Sequence, residues 1–556
     1  MGIVRTEITL KNTSRCLKDF IDAETAKKAG IIEIRSGASP AIPFNSSFAW
    51  PSLPEISSLE YDSRHVEGGS LYFALPGLHS DGHDFIDEAI KRGAAAVVHE
   101  KELAAYNEKI FYMRVKNSRF AMSPIADSFN GFPSRSMVII GVTGTEGKST
   151  TVSLIHQLLK LLGNKAGLIS TVEQGDGLVE KRTVEHQTTP EAPVCHKLLA
   201  EMLRNGAEYA VVESSSHGLS KKTNRLGDVD FDVGVMTNVA HEHLEFHGTW
   251  EQYRNDKAEL FRALDSSPSS HKKRSDAIKV PSFGVFNADD KSASFFAAAT
   301  KQKTYSFSTK GAKADLSLKS IDSREDGNSY EVYISSSGET ISISDRLPGA
   351  FNSGNVLAAL LVVSKLLSME IKELGKFVPS FKPVWGRMTA INRGQPYEVI
   401  VDYAHTPSSF EAIFPPLRQR LNSSGGRIIS VFGCPGERDT QKRKLQGEIA
   451  ARYCDIIVLA DEDPRGEEPM AILEEIARGI HGEKAKLNNF PPGETLFLIP
   501  NRGKAIRKAY SLARPKDLVI LLGKSHENSI IYASGTIVYD EIGEAENALE
   551  ELGFRN

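Results

Sequence analysis

The residues best equipped for chemistry lie in Gly141-Val142-Thr143-Gly144-Thr145-Glu146-Gly147-Lys148-Ser149-Thr150. Spaced glycines leave backbone N–H groups open to phosphate oxygens, and a helix starting just after them adds positive potential. Lys148 would then bridge the β- and γ-phosphates of ATP, and Ser149 would offer its hydroxyl to Mg²⁺. The stretch departs from the strict G-x-x-x-x-G-K-[ST] loop, because Val142 stands where the first glycine would be. Nucleotide binding is nevertheless the expected role of Gly144, Thr145, Glu146, Gly147, Lys148, Ser149 and Thr150. The loop alone leaves kinase, ATPase and ligase open.

Other chemistry-bearing residues follow. Glu213 ends the apolar run 209–212, and open α/β sheets bind their ligands at the carboxyl ends of strands. A carboxylate buried there needs a partner or a metal. His241, His243 and His247 fall within seven residues, a spacing that suggests chelation. The oxygen-rich surroundings and the ATP loop favour Mg²⁺ over zinc. Lys257, in Tyr253-Arg254-Asn255-Asp256-Lys257, reads from spacing alone as a surface helix lysine. Asp62-Ser63-Arg64 and Thr188-Thr189-Pro190, taken alone, are turn or cap sequences.

The elements that must position these groups form three blocks, placed at 1–136, 137–383 and 384–556. The first holds a strand near 70–75, a helical stretch 84–92 and the apolar 94–98. The second opens with a strand at 137–142, the glycine loop and a helix over 150–162, with further strands at 209–213 and 233–237. The third carries strands near 398–402, 427–433, 456–460 and 518–522. Strands alternating with helices predict an α/β chain with a central, doubly wound, mostly parallel sheet between two further α/β domains. The polar stretch 266–279 reads as a surface insertion.

Composition narrows the class. The 556 residues carry a formal net charge of −4 and no long basic block, so nucleic acid is not an expected partner. Four scattered cysteines without C-x-x-C spacing exclude a zinc cage or disulfide framework and fit a reducing cytoplasm. No signal peptide or membrane span is evident, since apolar runs fall far short of the roughly 20 residues a spanning helix requires.

Taken in order from about residue 60 to 530, the motifs resemble the Mur ligase family, whose loop is G-T-x-G-K-[ST]. Within it they are most similar to the members that add the third peptide residue. The resemblance implies an ATP-dependent ligase that adds a diamino acid to a UDP-N-acetylmuramoyl dipeptide in peptidoglycan precursor synthesis, as a cytoplasmic monomer. It places Ser63 at the uridine end of the substrate, and Thr188, Thr189, Ser215 and Arg225 along the muramoyl dipeptide. Glu213, His243 and Lys257 become metal-site residues, with Lys257 carbamylated by CO₂. In Thr237-Asn238-Val239-Ala240-His241-Glu242-His243, Glu242 stands for the family's usual Asp. Asn352 would meet the adenine, while Asn355 could equally cap the helix after it. Asp289 falls in a segment resembling the nucleoside side.

Gly386-Arg387-Met388 and Asp402-Tyr403-Ala404-His405-Thr406-Pro407 resemble family segments that complete the ATP site, through Arg387 and Asp402, when domains close. Trp385 takes the place of a proline there, and Pro435 that of a glycine. Glu462-Asp463-Pro464-Arg465 resembles the D-N-P-R of diaminopimelate-adding members, and Gly523-Lys524-Ser525-His526-Glu527 their G-K-G-H-E. By that resemblance Arg465 holds a distal carboxylate and Glu527 the distal amine, with Asp463, Pro464 and Gly523 beside them. Asp463, where those members have Asn, would repel a second carboxylate and attract an amine. The amino acid therefore stays open between meso-diaminopimelate, L-lysine and L-ornithine. The rivals are a sister amide ligase of the folylpolyglutamate type and a regulatory nucleotide-binding protein that joins nothing.

Overall fold

The computed structural model describes residues 14–44, 53–77, 80–183, 187–240, 242, 244–266, 280–324, 327–480 and 491–555. His241, His243 and most of the 266–279 insertion lie outside them. The described residues build three large sheets with helices on their faces, and two two-stranded ribbons, Arg15–Cys16 with Glu55–Ile56 and Ser529–Tyr532 with Gly535–Val538. A six-stranded N-terminal sheet runs in the order Ile42–Pro43, Ile31–Ser36, Phe111–Val115, Ala96–His99, Ser70–Phe73, Ser58–Glu60. The C-terminal sheet, also six-stranded, runs Thr389–Ala390, Glu398–Asp402, Leu518–Leu522, Ile428–Phe432, Ile456–Leu459, Leu496–Leu498.

Between them lies an eleven-stranded sheet. Its parallel heart is Ala166–Ile169, Tyr209–Glu213, Val138–Thr143, Val233–Met236, Phe283–Asn287 and Lys303–Ser308. The sequence reading missed both margins. An antiparallel hairpin, Glu173–Gly175 with Glu180–Arg182, extends one edge. A meander of Leu316–Arg324, Gly327–Ile334 and Glu339–Asp345 extends the other. The sheet is thus mixed overall, with the mostly parallel character confined to its centre.

Apolar residues on both faces of each strand explain the layering, because a parallel sheet must be covered twice. Val138, Ile140 and Val142 pack with Leu154, Leu158 and the helix Asn352–Leu367 on one side. Met137 and Ile139 pack with Leu260 and Phe261 of the helix Trp250–Ser266 on the other. Both helices therefore bring polar residues to the same sheet end. Leu71 and Phe73 split from Tyr72 and Ala74 in the N-terminal sheet, as Ile428 splits from Ile429 and Val431 in the C-terminal one.

Candidate active site

The phosphate loop leaves the end of Val138–Thr143 and enters the helix Lys148–Leu161. Register places Glu213 beside Val142 and Met236 beside Thr143, so the strands on either side deliver Glu213 and Thr237 next to the loop. Gly147 has φ +80°, and a Cβ there would lie 2.6 Å from Asn355 Oδ1. Glycine is required on both counts. Ser149 Oγ donates to Glu213 Oε1 at 3.1 Å, while Glu213 Oε2 accepts from Thr171 N at 2.8 Å. Arg387, from the C-terminal side of the chain, donates to Ser149 Oγ at 3.1 Å. Lys148 Nζ folds back onto Thr145 O at 2.7 Å. The Thr145 hydroxyl lies 2.9 Å from Tyr253 Oη and accepts from Ala240 N. Thr150 is buried in the first helical turn.

Glu146 has a different task from its neighbours. Its backbone N–H donates to Asn238 Oδ1, and its carboxylate accepts from Thr406 Oγ1 at 2.8 Å. A second link between the same two regions pairs His405 Nε2 with Glu242 Oε1 at 3.5 Å. The central and C-terminal sheets therefore meet over the loop.

Lys257 is 1% exposed, not the surface lysine its spacing suggests. The reason is tertiary: its helix lies against the loop, and Nζ donates to Gly144 O at 2.6 Å. Burial, reinforced by the nearby Lys148 charge, pushes its pKa well below the ordinary lysine value. Its ammonium has no carboxylate within ion-pair distance among the described residues, but sits 4.4 Å from the Tyr253 ring centroid. The same helix holds Asp256, which meets His247 Nδ1 at 2.6 Å, and His247 Nε2 lies 3.0 Å from Ser216 Oγ. That chain couples the lysine helix to the Glu213–Ser216 segment.

The dipeptide-side candidates are assembled around Thr189, whose hydroxyl donates to Glu213 O and accepts from Ser215 N. Thr188 precedes it. Arg225 donates to Thr189 O and to Glu191 Oε1, each at 2.9 Å, and Arg119 meets the same Glu191 oxygen. Ser215 also caps the short helix Ser216–Leu219. Ser63 stands apart, buried in the N-terminal sheet's Ser63–His65 turn, with Asp62 capping it through Arg64 N. Arg64 holds the Asp62 carboxyl down at about 2.

At the segment expected to meet the nucleoside, the helix begins at Asn352, so Asn355 lies inside it and is not its cap. Asn355 instead accepts from Thr151 and donates to Asn352 Oδ1, while Asn352 donates to Pro348 O. Asp289 is consumed by Ser308 and the backbone N–H groups of Thr309, Lys310 and Ala312. Asp402 accepts from Met388 N and Ala404 N, which fixes the turn bearing Arg387, and burial raises its pKa. The Arg387 guanidinium also lies 4.6 Å from the Tyr403 ring centroid.

The opposite wall is built from strand ends of the C-terminal sheet. Lys524, 1% exposed, donates to Asp463 Oδ1 at 2.9 Å and also pairs with Glu527. Asp463 Oδ1 accepts from Ile531 N as well. The extra carboxylate noticed in the sequence is thus partly committed to a buried lysine, a long-range pairing that spacing could not reveal. Tyr403 Oη donates to Glu527 Oε1 at 3.0 Å. Glu462, not singled out from sequence, is buried with Oε2 lacking any hydrogen bond, and burial raises its pKa. Gly523 leaves room beside it: a Cβ there would lie 3.1 Å from Glu462 Oε2. Arg465 adopts φ +55° while its N–H donates to Ile531 O, and its buried Nε has no hydrogen-bond partner. Pro464 O accepts from Glu467 N, closing the turn around Arg465.

Three family models match consecutive parts of the chain. They are the Mur ligase family catalytic domain over 55–129, the Mur ligase middle domain over 142–363, and the Mur ligase glutamate ligase domain over 386–525. The chain belongs to the Mur ligase family.

This Mur ligase is 48% identical over 506 aligned positions to the UDP-N-acetylmuramyl-tripeptide synthetase of Treponema denticola, covering 87% of this chain and 92% of that one. The UDP-N-acetylmuramoyl-L-alanyl-D-glutamate–2,6-diaminopimelate ligase of Geobacillus kaustophilus is 34% identical over 500 positions, covering 90% and 96%. A solved structure of a 2,6-diaminopimelate ligase of the same description superposes with TM-score 0.56 at 26% identity, covering 92% of this Mur ligase and 98% of that chain. Membership makes the protein an ATP-dependent amide-bond-forming enzyme. The phosphate loop, Glu213 and Lys257 fall in the matched middle domain, and Arg387, Asp463 and Lys524 in the matched C-terminal one. No helix among the described residues is long and apolar enough to cross a membrane.

Proposed function

We propose that this Mur ligase joins a diamino acid to the terminal glutamate of UDP-N-acetylmuramoyl-L-alanyl-D-glutamate, converting ATP to ADP and phosphate. The observation that carries this reading is the meeting of two unlike walls, joined by Arg387, whose guanidinium reaches Ser149 Oγ on one side and lies over the Tyr403 ring on the other. One wall offers the phosphate loop with Ser149, Glu213 and Arg387, and the other offers Glu462, Glu527, Lys524 and Arg465. The domains we assign are 1–136 for the UDP-linked substrate through Ser63, 137–383 for ATP, and 384–556 for the amino acid. Thr188, Thr189, Ser215 and Arg225 would line the dipeptide, and Asn352 the nucleoside. In this reading the enzyme acts in the cytoplasm, because its nucleotide-linked substrate and ATP share that compartment, and it acts as a monomer.

The chemistry is acyl transfer through a phosphate. The substrate carboxylate attacks the γ-phosphoryl group, and the ADP oxygen leaves. Lys148, released from Thr145 O, and Arg387, already at Ser149, neutralise the charge that builds on the transferred group. The amine of the incoming amino acid then attacks the acyl phosphate, phosphate departs and an amide remains. Contacts across the loop, Thr406 to Glu146 and His405 to Glu242, hold the walls together and limit hydrolysis of the intermediate.

The hydroxyl of Ser149 and the carboxylate of Glu213 form a hard-oxygen pair suited to Mg²⁺, with His243 assigned to the same site by family resemblance. When bound, Mg²⁺ would supply charge neutralisation at the phosphates and the substrate carboxylate. Lys257 fits carbamylation: a buried amine with depressed pKa is neutral enough to add CO₂, losing one proton and becoming an anion. At the far wall, the unpartnered Glu462 oxygen beside Glu527 suits an ammonium, and the unpartnered Arg465 Nε suits a carboxylate.

The test is phosphate release with MgATP and UDP-muramoyl-Ala-Glu, with meso-diaminopimelate, L-lysine or L-ornithine added separately. Stimulation by one of them, with the matching tripeptide formed, establishes reaction and preference together. No stimulation by any of the three overturns the third-residue assignment in favour of a sister ligase.

A further inference from the structure

The peptide joining the central and C-terminal sheets is gripped from both sides. On the central side, Gln157 of the phosphate-loop helix accepts from Lys382 N at 2.8 Å and donates to Lys382 O at 3.1 Å. Three residues later, Trp385 is covered by Arg182, whose guanidinium carbon lies 3.6 Å from the ring centroid. Arg182 ends the edge hairpin of the eleven-stranded sheet and is exposed. On the C-terminal side, Trp385 packs against the apolar cluster that contains Val399 and Val401. The next residue, Gly386, has φ +68° and gives its carbonyl to Ser525 Oγ and its N–H to Thr389 Oγ1. Arg387 follows, and its guanidinium reaches Ser149 Oγ.

Trp385 is therefore the last side chain before the turn that aims Arg387, and it touches both bodies at once. A flat indole face under a guanidinium is an attractive, desolvating contact that tolerates small sliding motions. Swinging the C-terminal sheet away from the loop must part Trp385 either from its own apolar cluster or from Arg182. The second contact is the weaker and more exposed, so it is the one that separates.

We infer that Arg182 and Trp385 form an interdomain clamp that positions Arg387 in the phosphate site, making Arg182 a positioning residue for the ATP half of the reaction. Neither residue touches substrate in this assignment. Their effect passes through the 386–387 turn alone.

The experiment compares wild type with Arg182→Gln, reading the MgATP dissociation constant by calorimetry on the full chain without acceptor, and kcat/KM for ATP in the phosphate-release assay. Loss of an exposed cation–π contact predicts about a 2- to 5-fold weakening in each. KM for the amino acid should not move. Arg182→Lys, which keeps the cation, should recover part of the loss, and Trp385→Phe should lose less than Trp385→Leu. In an Arg387→Ala background, Arg182→Gln should cost nothing further, because the residue it positions is gone. Unchanged ATP affinity and kcat/KM in Arg182→Gln overturn the clamp. So does the same loss repeated in full on the Arg387→Ala background, since that marks a merely structural contact. The calorimetric comparison stands whichever amino acid the enzyme uses, so its failure is distinct from failure of the third-residue assignment.

Discussion

Asp463→Asn separates two accounts of amino-acid selection. If the Asp463 carboxylate faces the distal end of the amino acid, removing its charge should change which diamino acid is preferred. The structure instead points it at Lys524, with Asp463 Oδ1 accepting both from Nζ at 2.9 Å and from Ile531 N at 3.0 Å. An asparagine can keep both acceptor contacts through its own Oδ1. What is lost is the charge assistance of one hydrogen bond, about 1 kcal/mol, the difference between a neutral and a charged pair. Lys524 keeps Glu527 as a counter-ion, so the buried ammonium is not abandoned. The expected result is a melting midpoint lower by about 2–4 °C. The ratios of kcat/KM among meso-diaminopimelate, lysine and ornithine should stay within about 3-fold of wild type, or roughly 0.6 kcal/mol. Phosphate release with each amino acid at several concentrations gives those ratios directly. A switch in preference greater than about 10-fold, equivalent to 1.4 kcal/mol, would falsify the view that Asp463 acts through Lys524.

Lys257→Ala should lower kcat about 10²- to 10³-fold, the usual cost of removing one preorganised electrostatic group. Formate or acetate should restore part of it, and full activity in the unrescued variant rules out a catalytic Lys257. Burial pushes Asp461 up to about 6, so its contribution favours the folded state at acid pH and is lost as pH rises through 6. Asp461→Asn, which does not titrate and can still accept from Tyr532 Oη, should therefore gain in melting temperature relative to wild type as pH rises from about 4 to about 6, with a constant gap above that. A gap independent of pH contradicts this. Gly147→Ala must hold φ near +80° and push aside Asn355 Oδ1, 2.6 Å from the new methyl. About 1–2 kcal/mol of backbone strain falls on the folded state itself and lowers the melting midpoint by about 2–8 °C, and a wild-type midpoint refutes it.

The sequence made the local parts legible. The strands at 398–402 and 518–522 were read to the residue, because apolar runs of that length between polar segments have few alternatives. The phosphate loop was legible for a similar reason, since glycine spacing, lysine and a following helix are local. The meander at 316–345 escaped although Gly327–Ile334 alternates, because its polar residues dilute the apolar signal. Lys257 shows the limit most clearly. Its helix position says surface, and only packing against Gly144, 113 residues away, makes it buried. The Lys524 pairing with Asp463, the unpartnered Glu462 and the Arg182–Trp385 stack are likewise long-range, and no pattern within a single element announces them.

Thr406 carries a consequence for the contact between the two bodies. As the N-cap of the helix Pro407–Ser424, its hydroxyl oxygen accepts from Ser409 N, while its hydroxyl proton can go to Glu146. Capping uses the lone pair and interdomain contact uses the hydrogen. The two tasks draw on opposite ends of one O–H bond. If the contact with Glu146 is lost, the proton can turn to Ser408 or Ser409, both within 3.0 Å, without disturbing the cap. The latch can then be made and broken with no turn of the helix unravelling, because the cap and the interdomain contact do not compete for the same end of the bond.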